Sequence, residues 1–135
     1  EKVGHFIYYD VAHNQAGISS VIKTIKRLYP NRPLIGLFCL KNDKEFVLIA
    51  KSFQDSMNTV YVTTDKNGLL IDSYRLWESL KNIGCKSEPV DTVSVGIARM
   101  KLKINQGGIG LIFGSHYIAE EVYKEFEISF DTGQI

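Results

Sequence analysis

Apolar and polar positions alternate along the chain in blocks of two different periods. Val3 to Tyr9 is β-branched and aromatic, and it predicts a first strand. Ile18, Val21, Ile22, Ile25 and Leu28 then recur at helical spacing, with Lys23, Lys26 and Arg27 on the opposite face. Tyr29-Pro30-Asn31-Arg32-Pro33 stops that helix. Leu34 to Leu40 is an unbroken apolar run of strand length, the pattern of a strand covered on both faces. After the polar loop Lys41 to Glu45, Phe46, Val47, Ile49, Ala50 and Phe53 restore the helical period.

The alternation continues. Asn58 to Thr64 predicts a third strand, and Asp65-Lys66-Asn67-Gly68 a turn. Tyr74, Leu76, Trp77, Leu80 and Ile83 predict a helix stopped by Gly84, with Tyr61, Tyr74 and Trp77 as core aromatics. Ser87 to Val90 reads as a short strand. Asp91 or Thr92 then caps a helix carrying Val93, Val95, Ile97, Ala98, Met100 and Leu102. Ile109 to Phe113 is the last buried strand, and Gly114-Ser115 opens a helix with Tyr117, Ile118, Val122 and Phe126. Ile128 to Phe130 either adds an edge strand or hangs free.

Strands alternating with helices predict βαβ units: an α/β, Rossmann-like, three-layer domain with a mainly parallel sheet flanked by helices. Length agrees with one domain, since 135 residues fall within the usual ~100–200. The charge is nearly balanced, 16 basic against 15 acidic residues, which argues against a nucleic-acid surface. No apolar run approaches a membrane span, and no secretory leader is visible. Cys39 lies in an apolar run and Cys85 in a loop, a usage suited to a reducing cytoplasm. The first residue is Glu1 and a strand follows almost at once, so a longer parent chain is expected.

The candidate chemistry sits where predicted strands end. Asp10, His13 and Asn14 follow the first, Asp43, Lys44 and Glu45 the second, and Ser115, His116 and Tyr117 the last. In open parallel sheets these ends share one rim, and ligands bind there. Asp10 can accept from a ribose hydroxyl pair or serve as a turn residue. His13 at a helix start can donate to an anionic oxygen. Asn14 reads equally as a helix cap, Lys44 as a mobile charge for a carboxylate or phosphate, and Ser115 as a cap or an anion donor. His5 and His116 are left without a role. A G-x-x-x-x-G-K-[ST] phosphate loop is absent, and Gly107-Gly108-Ile109-Gly110 enters a strand rather than leaving one. No C-x-x-C or H-E-x-x-H metal pattern occurs.

These motifs carry a resemblance. Asp10-Val11-Ala12-His13-Asn14 resembles the D-x-A-H-N-P motif of folylpolyglutamate and dihydrofolate synthases, members of the Mur ligase superfamily. Asp43-Lys44-Glu45 is similar to their D-K-D, and Gly114-Ser115-His116-Tyr117 to their G-S-x-Y. Gln15 replaces the usual proline and Glu45 the second aspartate. The resemblance covers nearly the whole chain as a C-terminal domain, residues 1–135, of an ATP-dependent ligase. It implies L-glutamate joined to folate or dihydropteroate through an acyl phosphate. It implies that ATP and Mg2+ are bound mainly by an upstream domain over which this one closes. Asp10 then touches the nucleotide ribose, and His13, Asn14, Lys44, Ser115 and Tyr117 hold the glutamate. The expected protein is a cytoplasmic monomer whose isolated fragment is inactive, with no catalytic residue assigned within it. Two alternatives remain at this level: a peptidoglycan-type ligase, and a non-catalytic flavodoxin-like or receiver domain.

Overall fold

The computed structural model describes residues 1–41 and 45–127. The elements follow in the order β1 (Lys2–Gly4), β2 (Ile7–Asp10), α1 (Gln15–Leu28), β3 (Leu34–Phe38), α2 (Phe46–Lys51), β4 (Thr59–Val62), α3 (Ser73–Asn82), β5 (Ser87–Pro89), α4 (Val93–Asn105), β6 (Ile109–Phe113) and α5 (Ala119–Glu125). They form a six-stranded sheet in the order β1-β2-β6-β3-β4-β5. From β2 to β5 every pairing is parallel; only β1 runs antiparallel.

Side-chain alternation along the strands builds two cores. Leu34, Phe38, Val60, Val62, Ile109, Leu111 and Phe113 meet α1, α2 and α3 on one face. Ile35, Leu37, Tyr61 and Ile112 meet α4 and α5 on the other. All five residues of β3 and of β6 are buried, as a strand covered on both faces requires. The expected three layers are present.

Several local expectations change. The first predicted strand is a hairpin: His5 and Phe6 turn the chain, with Phe6 in the left-handed region at φ 59°. A non-glycine residue there is uncommon. Phe6 compensates through tertiary contacts: the Arg32 guanidinium lies 3.7 Å above its ring, and its carbonyl accepts the Gly110 N–H. Helix α1 begins at Gln15, three residues before its first core contact, because Asn14 caps it. Of the two candidate caps for α4, Thr92 is the one used, accepting the Val95 N–H at 3.1 Å. Tyr74 is exposed rather than core, whereas Tyr61 is buried and Trp77 donates its indole N–H to the Ser87 carbonyl.

Gly84 ends α3 as expected, at φ 81°, with the Cys85 N–H returning to the Leu80 carbonyl. Gly114-Ser115 does not open the last helix, which starts at Ala119. Asp43 and Lys44, and the suggested strand Ile128 to Phe130, lie outside the described residues.

Candidate functional site

Strand order places the site. The chain leaves β2, crosses to β3, runs outward through β4 and β5, and returns to put β6 between β2 and β3. The register aligns Asp10, Phe113 and Phe38 across the three neighbouring strands. Their carboxyl ends are then stitched together. The Gly114 N–H donates to Ala12 O at 3.2 Å, and the Cys39 N–H to Phe113 O at 3.3 Å. Beneath them Phe38, Phe53 and Phe113 pack with ring centroids 4.8–5.1 Å apart. The rim rests on a rigid apolar floor.

Gly114 is the joint of this arrangement. Its φ is 110°, and a Cβ there would overlap the Cys39 carbonyl oxygen. Only glycine lets the β6 loop pass so close to β3. The next residue, Ser115, is buried, and its Oγ accepts the Tyr117 N–H at 3.0 Å. Its own carbonyl accepts from the Tyr9 hydroxyl at 2.8 Å. Burial pushes the Tyr9 phenol well above its usual range, so it stays a donor in that bond. Burial likewise pushes up the Cys39 thiol, which is therefore no nucleophile.

On the β2 side, one Asp10 carboxylate oxygen accepts the Ala12 N–H at 2.8 Å, which fixes the loop and leaves the second oxygen for other partners. Asn14 Oδ1 accepts the Gly17 N–H at 2.8 Å and caps α1. Its side chain is thus committed to the helix, although the residue is exposed. His13 stands between them, exposed, with Nδ1 3.3 Å from the Val11 carbonyl oxygen. Nε2 is then the ring atom left for a ligand.

Three openings surround these residues, and they divide the candidates. His13, Lys41, Gly114, Ser115, His116 and Tyr117 line a cleft of about 90 Å³. His13 and Asn14 also border a second cleft, of about 200 Å³, with Glu45, Leu48 and Ile49. Asp10 lies apart, on a groove of about 450 Å³ that runs along α1 past Tyr8, Gly17, Ser20 and Thr24. The Tyr8 hydroxyl is 2.7 Å from that of Tyr29, and this bond pushes its pKa up to about 12. Sites for drug-sized ligands usually measure ~300–1,000 Å³. By that scale the Asp10 groove has room for a nucleoside, and the cleft beside Ser115, as its described residues bound it, for a smaller group.

The structure therefore brings His13, Ser115 and Tyr117 together, sets Asn14 at their border and Asp10 on a separate groove. Lys44 falls outside the described residues. Two lining residues lie beyond the set the sequence points to. Lys41 is the first polar residue after the buried run of β3, and that position is the sequence signal for it. His116 lies in the turn before α5 rather than within a helix, its ring centroid 4.4 Å from that of Tyr117.

Asp65, the residue a receiver reading would need, is buried, and its carboxylate accepts from the Leu69 and Leu70 N–H groups. Both oxygens are spent on the loop. Among the described residues no three His, Cys, Asp or Glu side chains gather to hold a metal ion. Nor is any helix among them long and apolar enough to cross a membrane.

Comparison with known proteins points one way. Residues 1–116 match the model of the family described as Mur ligase, glutamate ligase domain. The fold is similar to that of a folylpolyglutamate synthase from Mycobacterium tuberculosis complexed with ADP and AMPPCP (TM-score 0.81, 20% identity, 91% of this chain and 30% of that one). It is similar also to a bifunctional folylpolyglutamate synthase/dihydrofolate synthase from Yersinia pestis complexed with AMPPNP and a Mn ion (TM-score 0.82, 12% identity, 95% and 30%). A third similar structure is E. coli FolC in complex with DHPP and ADP (TM-score 0.78, 16% identity, 90% and 28%). At such identities the likeness establishes the fold. The chain spans less than a third of the length of the solved structures it matches. No curated protein matches the sequence.

Proposed function

We propose, from the premise that this chain belongs to the Mur ligase, glutamate ligase domain family, that it is the glutamate-holding and closure domain of an ATP-dependent ligase. The reaction is amide formation between L-glutamate and a folate or dihydropteroate carboxyl, activated as an acyl phosphate. One observation carries this reading: a nucleoside-sized groove at Asp10 and a separate small cleft walled by His13, Lys41 and His116 both reach strand ends stitched into one rim. A nucleotide and a small polar ligand are the two that such a pair of openings would hold.

The roles follow from the chemistry. Asp10 accepts from ribose hydroxyls with the oxygen that the Ala12 N–H leaves over. His13, Ser115 and Tyr117 hold the amino acid, with Lys44 as a further cation; Asn14 acts by fixing the start of α1 beside His13. A dicarboxylate needs cations and hydroxyl donors around it. Attack of its amine on an acyl phosphate needs mainly positioning and exclusion of water, which closure against a preceding domain would supply. ATP and Mg2+ belong to that preceding part, because this chain has neither a phosphate-loop motif nor, among its described residues, a metal-binding cluster. Unpaired Cys39 and Cys85 suit the reducing cytoplasm where such a monomeric enzyme would work.

The test is ligation by the longer parent product, assayed with ATP, Mg2+, folate and L-glutamate, next to the 135-residue chain alone. The parent is expected to form the glutamylated product and the short chain to release no ADP. Asp10→Ala and His13→Ala in the parent are each expected to lower the rate at least tenfold. Turnover by the short chain would overturn the domain assignment. A parent that ignores folate and accepts a nucleotide-sugar acceptor would make it a peptidoglycan-type ligase.

A further inference from the structure

We propose that an apolar collar on the carboxyl rim, built from Val11, Val47, Leu48 and Leu69, is the surface that meets the preceding portion of the parent chain. Its task is to keep water from the acyl phosphate. This rests on the reading of the chain as a closure domain and deepens it by naming the residues that make the contact.

Exposed apolar side chains are ordinary one at a time; where they gather is what carries information. At the helix ends that lead into strands, Leu28, Ile83 and Leu102 are exposed but stand singly, with Arg27, Lys81, Lys101 and Lys103 close by in sequence. On the opposite rim Val11, Val47, Leu48 and Leu69 are 50%, 59%, 44% and 50% exposed, in the segments that leave β2, β3 and β4. The period of α2 turns Ile49 and Ala50 inward, so Val47 and Leu48 face outward in a first turn where a solvated helix carries polar groups. Among the described residues neither packs into either core.

Shared neighbours join the four positions. His13 Nδ1 lies 3.3 Å from the Val11 carbonyl oxygen, and His13 borders one cleft with Leu48 and another with Tyr117. Lys41, on that second cleft, forms an antiparallel backbone bridge with Leu70, which brings Leu69 to the same side.

The position of the collar selects its occupant. It borders the openings that would take the ligands, so its cover has to leave in every cycle. A stable second copy does not meet that requirement, whereas a domain of the same polypeptide does. The matched region makes up 30% of the Mycobacterium tuberculosis and Yersinia pestis chains, which leaves ample length for such a cover.

With the collar covered, water is excluded from the reacting carbon. The neutral glutamate amine attacks the acyl carbon, the bond from that carbon to the phosphate oxygen breaks, and the amine's proton passes to the departing phosphate. With the collar open, water attacks instead. The free carboxylate returns, phosphate leaves, and one ATP is spent without product.

The experiment combines Val47→Ser, Leu48→Ser and Leu69→Ser in the longer parent and compares ADP released with ligated product formed. We expect ~1 ADP per product in the unsubstituted parent and ~3 or more in the variant, because water then competes with the amine. Val47→Ile with Leu48→Met should keep the original ratio, and so should Leu28→Ser with Leu102→Ser at the opposite rim. Folding is read from melting curves, and Val47→Ser alone gives the same readout where the triple variant does not fold. A folded serine variant that keeps the original ratio would overturn the collar and leave the ligase reading standing. Absence of ligation by the unsubstituted parent would overturn both. A parent that sediments as a dimer and dissociates on the serine substitutions would give the collar to a second copy and overturn the proposal.

Discussion

The two rims of the sheet treat their polar groups in opposite ways. At the amino ends of the parallel strands, Arg32 places Nε and Nη2 on the Gly108 carbonyl at 3.1 and 3.0 Å and its guanidinium over Phe6. Backbone closes the rest: the Ile109 N–H reaches Pro33 O at 2.9 Å, and the Asn58 N–H reaches Leu34 O at 2.8 Å. At the carboxyl ends the backbone is stitched just as firmly, but His13, His116 and Tyr117 remain exposed above it. One rim uses its charge to hold the fold. The other keeps a rigid base and leaves its side chains to a ligand, which is how preorganised sites are built.

That contrast can be broken by substitution. Gly114→Ala has the largest expected effect, because both the positive φ and the Cys39 carbonyl oppose a Cβ. A loss of more than about 3 kcal/mol in urea unfolding is expected. A loss under ~1 kcal/mol would mean the carboxyl rim is soft, and the contrast would fail. Arg32→Ala at the opposite rim should cost ~1.5–3 kcal/mol, the range for hydrogen bonds to a charged group, and leave unchanged the NMR shifts that added L-glutamate is expected to cause at the Ser115 and Tyr117 amides. Weakened amino-acid binding in that variant would show that the rims are not independent.

Two smaller effects sharpen the division. Asn14→Ala removes the α1 cap and should lower stability by ~1 kcal/mol, with a modest fall in affinity through the displaced His13 loop. His13→Ala, by contrast, should stay within about 0.5 kcal/mol of the parent in stability, since its exposed ring makes one long contact, 3.3 Å, to the Val11 carbonyl oxygen. An effect on stability larger than that of Asn14→Ala would make His13 a structural residue.

The smallest effect concerns pH. Burial pushes the Glu121 carboxyl above its ordinary 4.5, and Oε2 is buried without a hydrogen-bond partner among the described residues. The nearby Lys66 ammonium opposes this shift, whereas the Asp65 and Glu120 carboxylates add to it. A folded-state pKa above the unfolded one means that the folded chain holds the proton more tightly. Stability then falls as pH rises through and above the carboxylate range. Glu121→Gln should therefore raise the melting temperature slightly at pH 7, and the gain should vanish below pH 4.5. A gain that persists in acid would trace to packing instead.

Much of the fold was legible because its signals are local. The uninterrupted apolar runs of β3 and β6, the helical spacing of α1 and α3, and the stop at Gly84 each reside in a dozen residues or fewer. The β1–β2 hairpin was not legible, since Val3 to Tyr9 is strand-like throughout and the turn at Phe6 depends on Arg32 and Gly110, far along the chain. The α5 start was misplaced for a similar reason: Ser115 looks like a cap, yet its hydroxyl closes a turn and its carbonyl is held by Tyr9.

The same division runs through the site. Strand-end position by itself singled out Asp10, His13, Ser115 and Tyr117, because a parallel sheet gathers its carboxyl ends on one side. Hydrophobic period and loop chemistry are properties of neighbouring residues, so the sequence alone determined the elements and the rim. Which strand lies beside which is decided by hydrogen bonds between residues as far apart as Asp10 and Phe113. Only that pairing, with β6 between β2 and β3, set Lys41 and His116 in one cleft with His13 and left Asp10 on another.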